Sequence, residues 1–100
     1  MDKTKRIRHT VVFKLKHANG SSEERNFLTS ASALSFIDGV ENFELLKQIS
    51  QKNSYDWGIS MEFASQAIYD CYNQHPDHVT FVENRWLKEV DHFLEIDYQL

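Results

Sequence analysis

The densest chemistry in this sequence lies in one short stretch, Tyr69-Asp70-Cys71-Tyr72-Asn73-Gln74-His75-Pro76-Asp77-His78-Val79. Two histidines, two tyrosines and two aspartates surround the only proline of the chain. Imidazole and phenol are the side chains that move protons near neutral pH or polarise a carbonyl oxygen. Pro76 ends any helix that reaches it, because the residue before a proline is pushed out of the α region. A helix broken there presents these groups at its end, where backbone groups are also free.

His9 adds a third imidazole, set among Ile7, Val11 and Phe13 on an apolar stripe. A buried imidazole without a partner costs about 1–3 kcal/mol, so it must find one. His78 or Tyr72, arriving from a covering helix, is the expected partner. Burial favours the neutral ring, which is the form a general base needs. A metal site is the rival use of the same residues. His75 and His78 have ligand chemistry, with Asp70, Asp77 or His92 nearby, but Pro76 between them removes a shared helical face. No metal and no cofactor is therefore expected. Cys71 reads as inert core within an apolar helix stripe, and Trp57, Met61 and Trp86 read as core. Gly20, Gly39 and Gly58 are too scattered for a phosphate loop.

The elements that must position these groups follow from hydrophobic period. Ile7 to Leu15 alternates with period two and predicts a strand, with Ile7, His9, Val11, Phe13 and Leu15 on one face. Asn19-Gly20 marks a turn, and Ser21 with Glu24 forms a capping box. Phe27, Leu28, Ala31, Leu34 and Ile37 then recur at helical spacing, and Gly39 ends that helix. Asn42–Ser50 is a second strand carrying Phe43, Leu45 and Ile49 on one face. Tyr55–Phe63 is a third, where Gly58 suggests a bulge or a close backbone approach. Ser65 caps a second helix with the stripe Ala67, Ile68, Cys71 and Tyr72. Asp77 caps a further helical segment bearing Val79, Phe81, Val82, Trp86 and Leu87. Lys88–Tyr98 is the last strand; Val90, His92, Leu94, Ile96 and Tyr98 share one parity and Phe93 the other, so its pattern leaves the facing open between regular alternation and a flip at a bulge.

The order is β-α-β-β-α-β, an α+β chain of the ferredoxin-like type: an antiparallel four-stranded sheet with helices on one face. The other sheet face carries Arg8, Thr10, Lys14, Ser60 and Glu62, with Val12 apolar, and meets either solvent or a partner. At 100 residues the chain has the size of a single domain, 1–100. Hydrophobic residues at 41% and charged residues at 26% argue against disorder. A net charge of −4 disfavours a nucleic-acid partner. No apolar run is long enough for a membrane span, and Met1-Asp2-Lys3-Thr4-Lys5-Arg6 has no following apolar stretch of a signal peptide. One cysteine excludes an internal disulfide, in keeping with a cytoplasmic protein. Lys3, Lys5, Arg6 and Arg8 form a basic, solvated arm.

Taken together, Arg8-His9-Thr10-Val11-Val12-Phe13-Lys14-Leu15, Asp38-Gly39-Val40, Asp56-Trp57-Gly58, Tyr72-Asn73-Gln74-His75-Pro76-Asp77-His78 and Asp97-Tyr98 resemble the stress-responsive dimeric α/β-barrel (Dabb) family. The resemblance runs from Ile7 to Tyr98, and Tyr-x-x-His-Pro-x-His is its most specific piece. It implies a homodimer, two ferredoxin-like protomers joined sheet to sheet with helices outside. A characterised branch of that family, the plant olivetolic acid cyclases, closes a ring by aldol condensation without a cofactor. Carried over, the resemblance implies His78 as catalytic base and Tyr72 as the group that holds and polarises substrate. It places His9 in the pocket and gives Phe27 and Phe81 as aromatic walls; His75, in the same dense segment, is a further candidate binding residue. Glu95 falls where the family pocket is apolar, and the stretch from His78 to Asp97 is one residue longer here.

Two readings of function follow. One is a dimeric protein with a pocket between sheet and helices for a small apolar or aromatic molecule, acting as a cofactor-free cyclase or isomerase. The alternative is a ligand-binding or stress-protective dimer without turnover. An open hollow around His9, Tyr72 and His78 separates the two from a filled core.

Overall fold

The computed structural model describes residues 5–100. Met1 to Thr4, including Lys3 of the expected arm, lie outside the described residues. The elements are β1 (Ile7–Leu15), α1 (Ser22–Ser32), a 3-10 turn (Ala33–Phe36), β2 (Glu41–Lys47), β3 (Trp57–Phe63), α2 (Gln66–Gln74), α3 (Pro76–Phe81), a π-helical turn (Val82–Trp86), α4 (Leu87–Glu89) and β4 (Val90–Gln99). The strands form one antiparallel sheet in the order β2-β3-β1-β4. This is the ferredoxin-like α+β arrangement.

β1 alternates as its sequence dictates, with Ile7, His9, Val11, Phe13 and Leu15 buried under the helices. Ser21 caps α1 by accepting from the Glu24 amide. The reciprocal bond is shifted by one residue, since Glu24 Oε1 accepts from Gly20 N–H at 2.9 Å. The other oxygen of that buried carboxylate accepts from the Trp57 indole at 3.1 Å and ties the start of α1 to β3. Gly39 ends the segment at φ +92°, and a Cβ there would stand 2.5 Å from the Ile68 side chain. Only glycine fits both demands.

Beneath the helices, Phe13, Phe27, Phe63, Met61 and Tyr72 are the largest fully buried side chains. Phe13 lies 5.9 Å from Phe27 and 5.1 Å from Trp86 between ring centres. Each such buried ring contributes about 2–3 kcal/mol of transfer free energy.

Several sequence expectations shift. β2 ends at Lys47, and Ile49 lies beyond it at 85% exposure, because the chain turns away into the polar loop before Trp57. β3 starts at Trp57 rather than Tyr55. Gly58 sits in regular pairing with Val12 and Leu46, with ordinary room for a Cβ, so it marks neither bulge nor close approach. The stripe of α2 is Ile68, Tyr69 and Tyr72 rather than one through Cys71, whose thiol is exposed. His75, not Asp77, caps α3, accepting the Asp77 amide at 3.0 Å while Pro76 occupies the first turn. In β4 the pairing steps from Lys14–His92 to Leu15–Val90, which leaves Asp91 as the extra residue of a bulge. That step turns Phe93, Glu95 and Asp97 toward the helices, opposite Phe13, Val11 and His9.

The outer sheet face therefore gains Leu94, Ile96 and Tyr98 beside Val12, with Leu46 from β2, and is more apolar than β1 and β3 alone suggest. Arg6 and Arg8 are not a free arm. Arg6 pairs with Glu41 and Glu62 at 3.0 and 3.1 Å, and Arg8 with Glu62 at 3.1 Å.

Candidate functional site

Between β1, β3 and β4 below and α2, α3 and the π turn above lies a cavity of about 240 Å3. Its apolar walls come from Val11, Ile59 and Met61 on the sheet, Leu34 after α1, and Phe81, Val82, Trp86 and Leu87 above. Phe93 closes one side. Its polar wall is His9, Tyr72, Asn73, His78 and Glu95. The volume lies a little below the usual range of ligand pockets, while a mostly apolar lining with a few convergent polar groups is their usual make-up.

Four of the six residues singled out from sequence line this cavity: His9, Tyr72, His78 and Phe81. Phe27 does not. It is fully buried behind the wall, 5.5 Å from Phe81 and 6.2 Å from Trp86, so it backs the pocket instead of facing it. His75 does not line it either, because its ring is turned to the Asp77 amide as a helix cap.

The helix break sets His78. Because His75 leaves the α conformation at ψ 134°, α3 restarts at an angle to α2, and the His78 ring lies 4.5 Å from the Tyr72 ring. His78 Nδ1 lies 3.2 Å from the Asn73 carbonyl oxygen. A carbonyl only accepts, so Nδ1 carries the proton and Nε2 carries the lone pair. Burial holds the His78 ring below the ordinary histidine range, opposed by the Asn73 bond and by Glu95. The ring is thus a neutral base at neutral pH. Tyr72 is buried, and its phenol is pushed well up, first by burial and then by the Glu95 carboxylate. A phenol that keeps its proton is a hydrogen-bond donor for an oxygen gaining negative charge.

His9 finds its partner elsewhere than expected. Neither His78 nor Tyr72 holds it. Its Nδ1–H donates to Asp97 Oδ1 at 2.6 Å, and Tyr69 donates to Asp97 Oδ2 at 2.9 Å. The Tyr69 hydroxyl also lies 3.0 Å from His9 Nδ1. The carboxylate fixes the His9 tautomer with its lone pair on Nε2. Tyr69 is pushed up by burial and by its bond to Asp97. Asp97 and Tyr69 also line an open groove of about 580 Å3 beside the start of α2. The bonded trio therefore stands between the cavity and solvent.

Tyr69, Asp97, Asn73 and Trp86 join the site beyond the sequence expectation, and Glu95, expected at a pocket position only through the family resemblance, lines the cavity. Tyr69 belongs to the dense segment, and its three-residue spacing from Tyr72 was the available signal. Asp97 and Glu95 depend on the β4 bulge, which decides which face they occupy. Among the described residues, no group of three or more His, Cys, Asp or Glu side chains is gathered to hold a metal ion. None of the described helices is long and apolar enough to cross a membrane.

The family profile of the stress responsive A/B barrel domain matches residues 7–100. A Dabb family protein with a ferredoxin-like fold from Mesorhizobium loti is 61% identical, over 94% of this chain and 95% of that one, with a TM-score of 0.93. A dimeric ferredoxin-like protein of unknown function from Thermobifida fusca is 17% identical, over 100% of this chain and 95% of that one, at a TM-score of 0.80. A hydroxynitrile lyase from Passiflora edulis is 12% identical, over 95% and 93% of the two chains, at 0.83. The last two likenesses concern the fold alone. No curated protein matches the chain by sequence.

Proposed function

The chain belongs to the stress responsive A/B barrel domain family, and from that footing we propose that it works as one domain that binds a small, largely apolar carbonyl compound and moves a proton beside the carbonyl. The observation that carries this reading is the cavity itself, which gathers His9, Tyr72 and His78 on one polar wall among apolar side chains. His78 Nε2 takes the proton from the carbon next to the carbonyl. Tyr72 donates to the oxygen as negative charge develops there. Cyclisation and isomerisation both begin with this step, and neither requires a cofactor.

A homodimer joined through the outer sheet faces completes the reading. Leu46, Leu94, Ile96 and Tyr98 are each about half exposed on that face, and the Thermobifida fusca neighbour of the same fold is described as dimeric. We place the protein in the cytoplasm, where its single exposed thiol, Cys71, would stay reduced. One observation favours the second reading, a dimer that binds without turnover: His9 is already satisfied by Asp97, as a purely structural histidine would be.

Exchange of carbon-bound hydrogen separates the two. Phenylacetone incubated with the protein in deuterated buffer should lose its α-proton NMR signal faster than with buffer alone. His78→Ala should return the rate to background. A mutant as fast as the parent would contradict the catalytic reading and leave the binding one.

A further inference from the structure

The cavity has one carboxylate on its wall, and nothing in the proton-transfer reading uses it. Glu95 lies opposite Val11 in the β1–β4 pairing and so faces the helix side of the sheet, where it lines the cavity with Trp86 and Phe93. Its field reaches the interior, since it acts on both Tyr72 and His78. The other titratable groups on the wall cannot balance it. Tyr72 keeps its proton, His78 is driven toward the neutral ring, and the Nδ1–H of His9 is already given to Asp97. Asp97 behind His9 adds negative charge on the same side.

We propose that the cavity takes a ligand bearing an amine, with the ammonium on Glu95 and an aromatic or alkyl body against the wall that Trp86 and Phe93 form. These two rings pack edge to face at 5.4 Å between centres and make a continuous apolar wall beside the carboxylate. A carboxylate-bearing ligand of the same shape meets Glu95 as a like charge. Because Glu95 is exposed, an ammonium there keeps part of its hydration and the desolvation penalty stays small. Within the proposed function, the substrate is thus an amino-carbonyl compound and not a carboxylic acid. This inference rests on the cavity being a ligand site.

The test uses three probes of one shape: phenethylamine, phenethyl alcohol and phenylacetate. Binding to the full-length protein is followed by the indole N–H resonance of Trp86. Phenethylamine should bind about tenfold more tightly than phenylacetate, as an attractive pair exchanged for a repulsive one at a half-wet site would give. Glu95→Gln should bring that ratio to near one. Phenethyl alcohol binding with no preference for the amine, or a preference that survives in Glu95→Gln, would overturn this inference while the cavity reading stands. No shift of Trp86 with any probe would overturn both.

Discussion

His9 gives its Nδ1 proton to the Asp97 carboxylate at 2.6 Å. The two residues lie at opposite ends of the chain and meet because β1 and β4 are neighbours in the sheet, with His9 paired to Asp97. The bond fixes which nitrogen of His9 faces the cavity, so a residue in the groove governs a ring in the pocket. Asp97→Asn keeps the shape but loses the charge that selects the tautomer. Two-bond proton–nitrogen NMR should show His9 protonated at Nε2 in a substantial fraction of molecules. A His9 tautomer unchanged in Asp97→Asn would refute this.

Tyr69 holds the same carboxylate from the helix side at 2.9 Å, and its ring stacks on Phe63 at 4.9 Å. Tyr69→Phe keeps the stack and removes the bond. Urea denaturation should show a loss of about 1 kcal/mol, the usual net value of one hydrogen bond. Tyr69→Ala should cost several times more, because it also empties a buried ring site. Equal losses in the two variants would mean the hydroxyl carries the whole effect.

Burial lowers the proton affinity of His78 in the folded protein relative to the free side chain. The unfolded chain therefore takes up a proton first as pH falls through the ordinary histidine value of 6.5. The stability His78 contributes is present above that value and disappears as pH drops toward the lower folded value. Denaturation measured across this window should show the wild type losing stability more steeply than His78→Gln. Parallel slopes would contradict the burial of this ring.

The β4 bulge explains why part of the site was legible in sequence and part was not. His9, Tyr72 and His78 stand out by type and spacing, because a period-two strand and a proline-broken helix determine their placement locally. β1 and the two serine caps are equally local, and each stands where its sequence pattern puts it. Glu95 faces the pocket and Asp97 meets His9 only because Asp91 is extruded from the ladder between Val90 and His92. That shift arises from long-range pairing with β1, and strict alternation along β4 conceals it. The same shift places Leu94, Ile96 and Tyr98 on the outer face, which the first and third strands alone suggest is mostly polar. Phe27 shows the converse error: an aromatic at helical spacing packs a second layer behind the pocket, which spacing cannot distinguish from a lining residue.

The outer face carries its own prediction. Ile96 is 42% exposed between Leu94 and Tyr98 on the edge strand β4, on the surface where two sheets would meet. Light scattering should give a dimer for the parent protein and a monomer for Ile96→Lys, with circular dichroism unchanged. A monomeric parent, or a variant that stays dimeric, would exclude pairing through this face.

The central claim is that the His78 ring removes a proton from a bound carbonyl compound. The pH dependence of α-deuterium exchange in phenylacetone, set beside the NMR titration of His78 in the same sample, tests it most directly. The account predicts a rate that falls at low pH with the midpoint of the His78 titration, below 6.5, and no such limb in His78→Ala. A rate that ignores the His78 midpoint, or a limb that persists in the alanine variant, would contradict it.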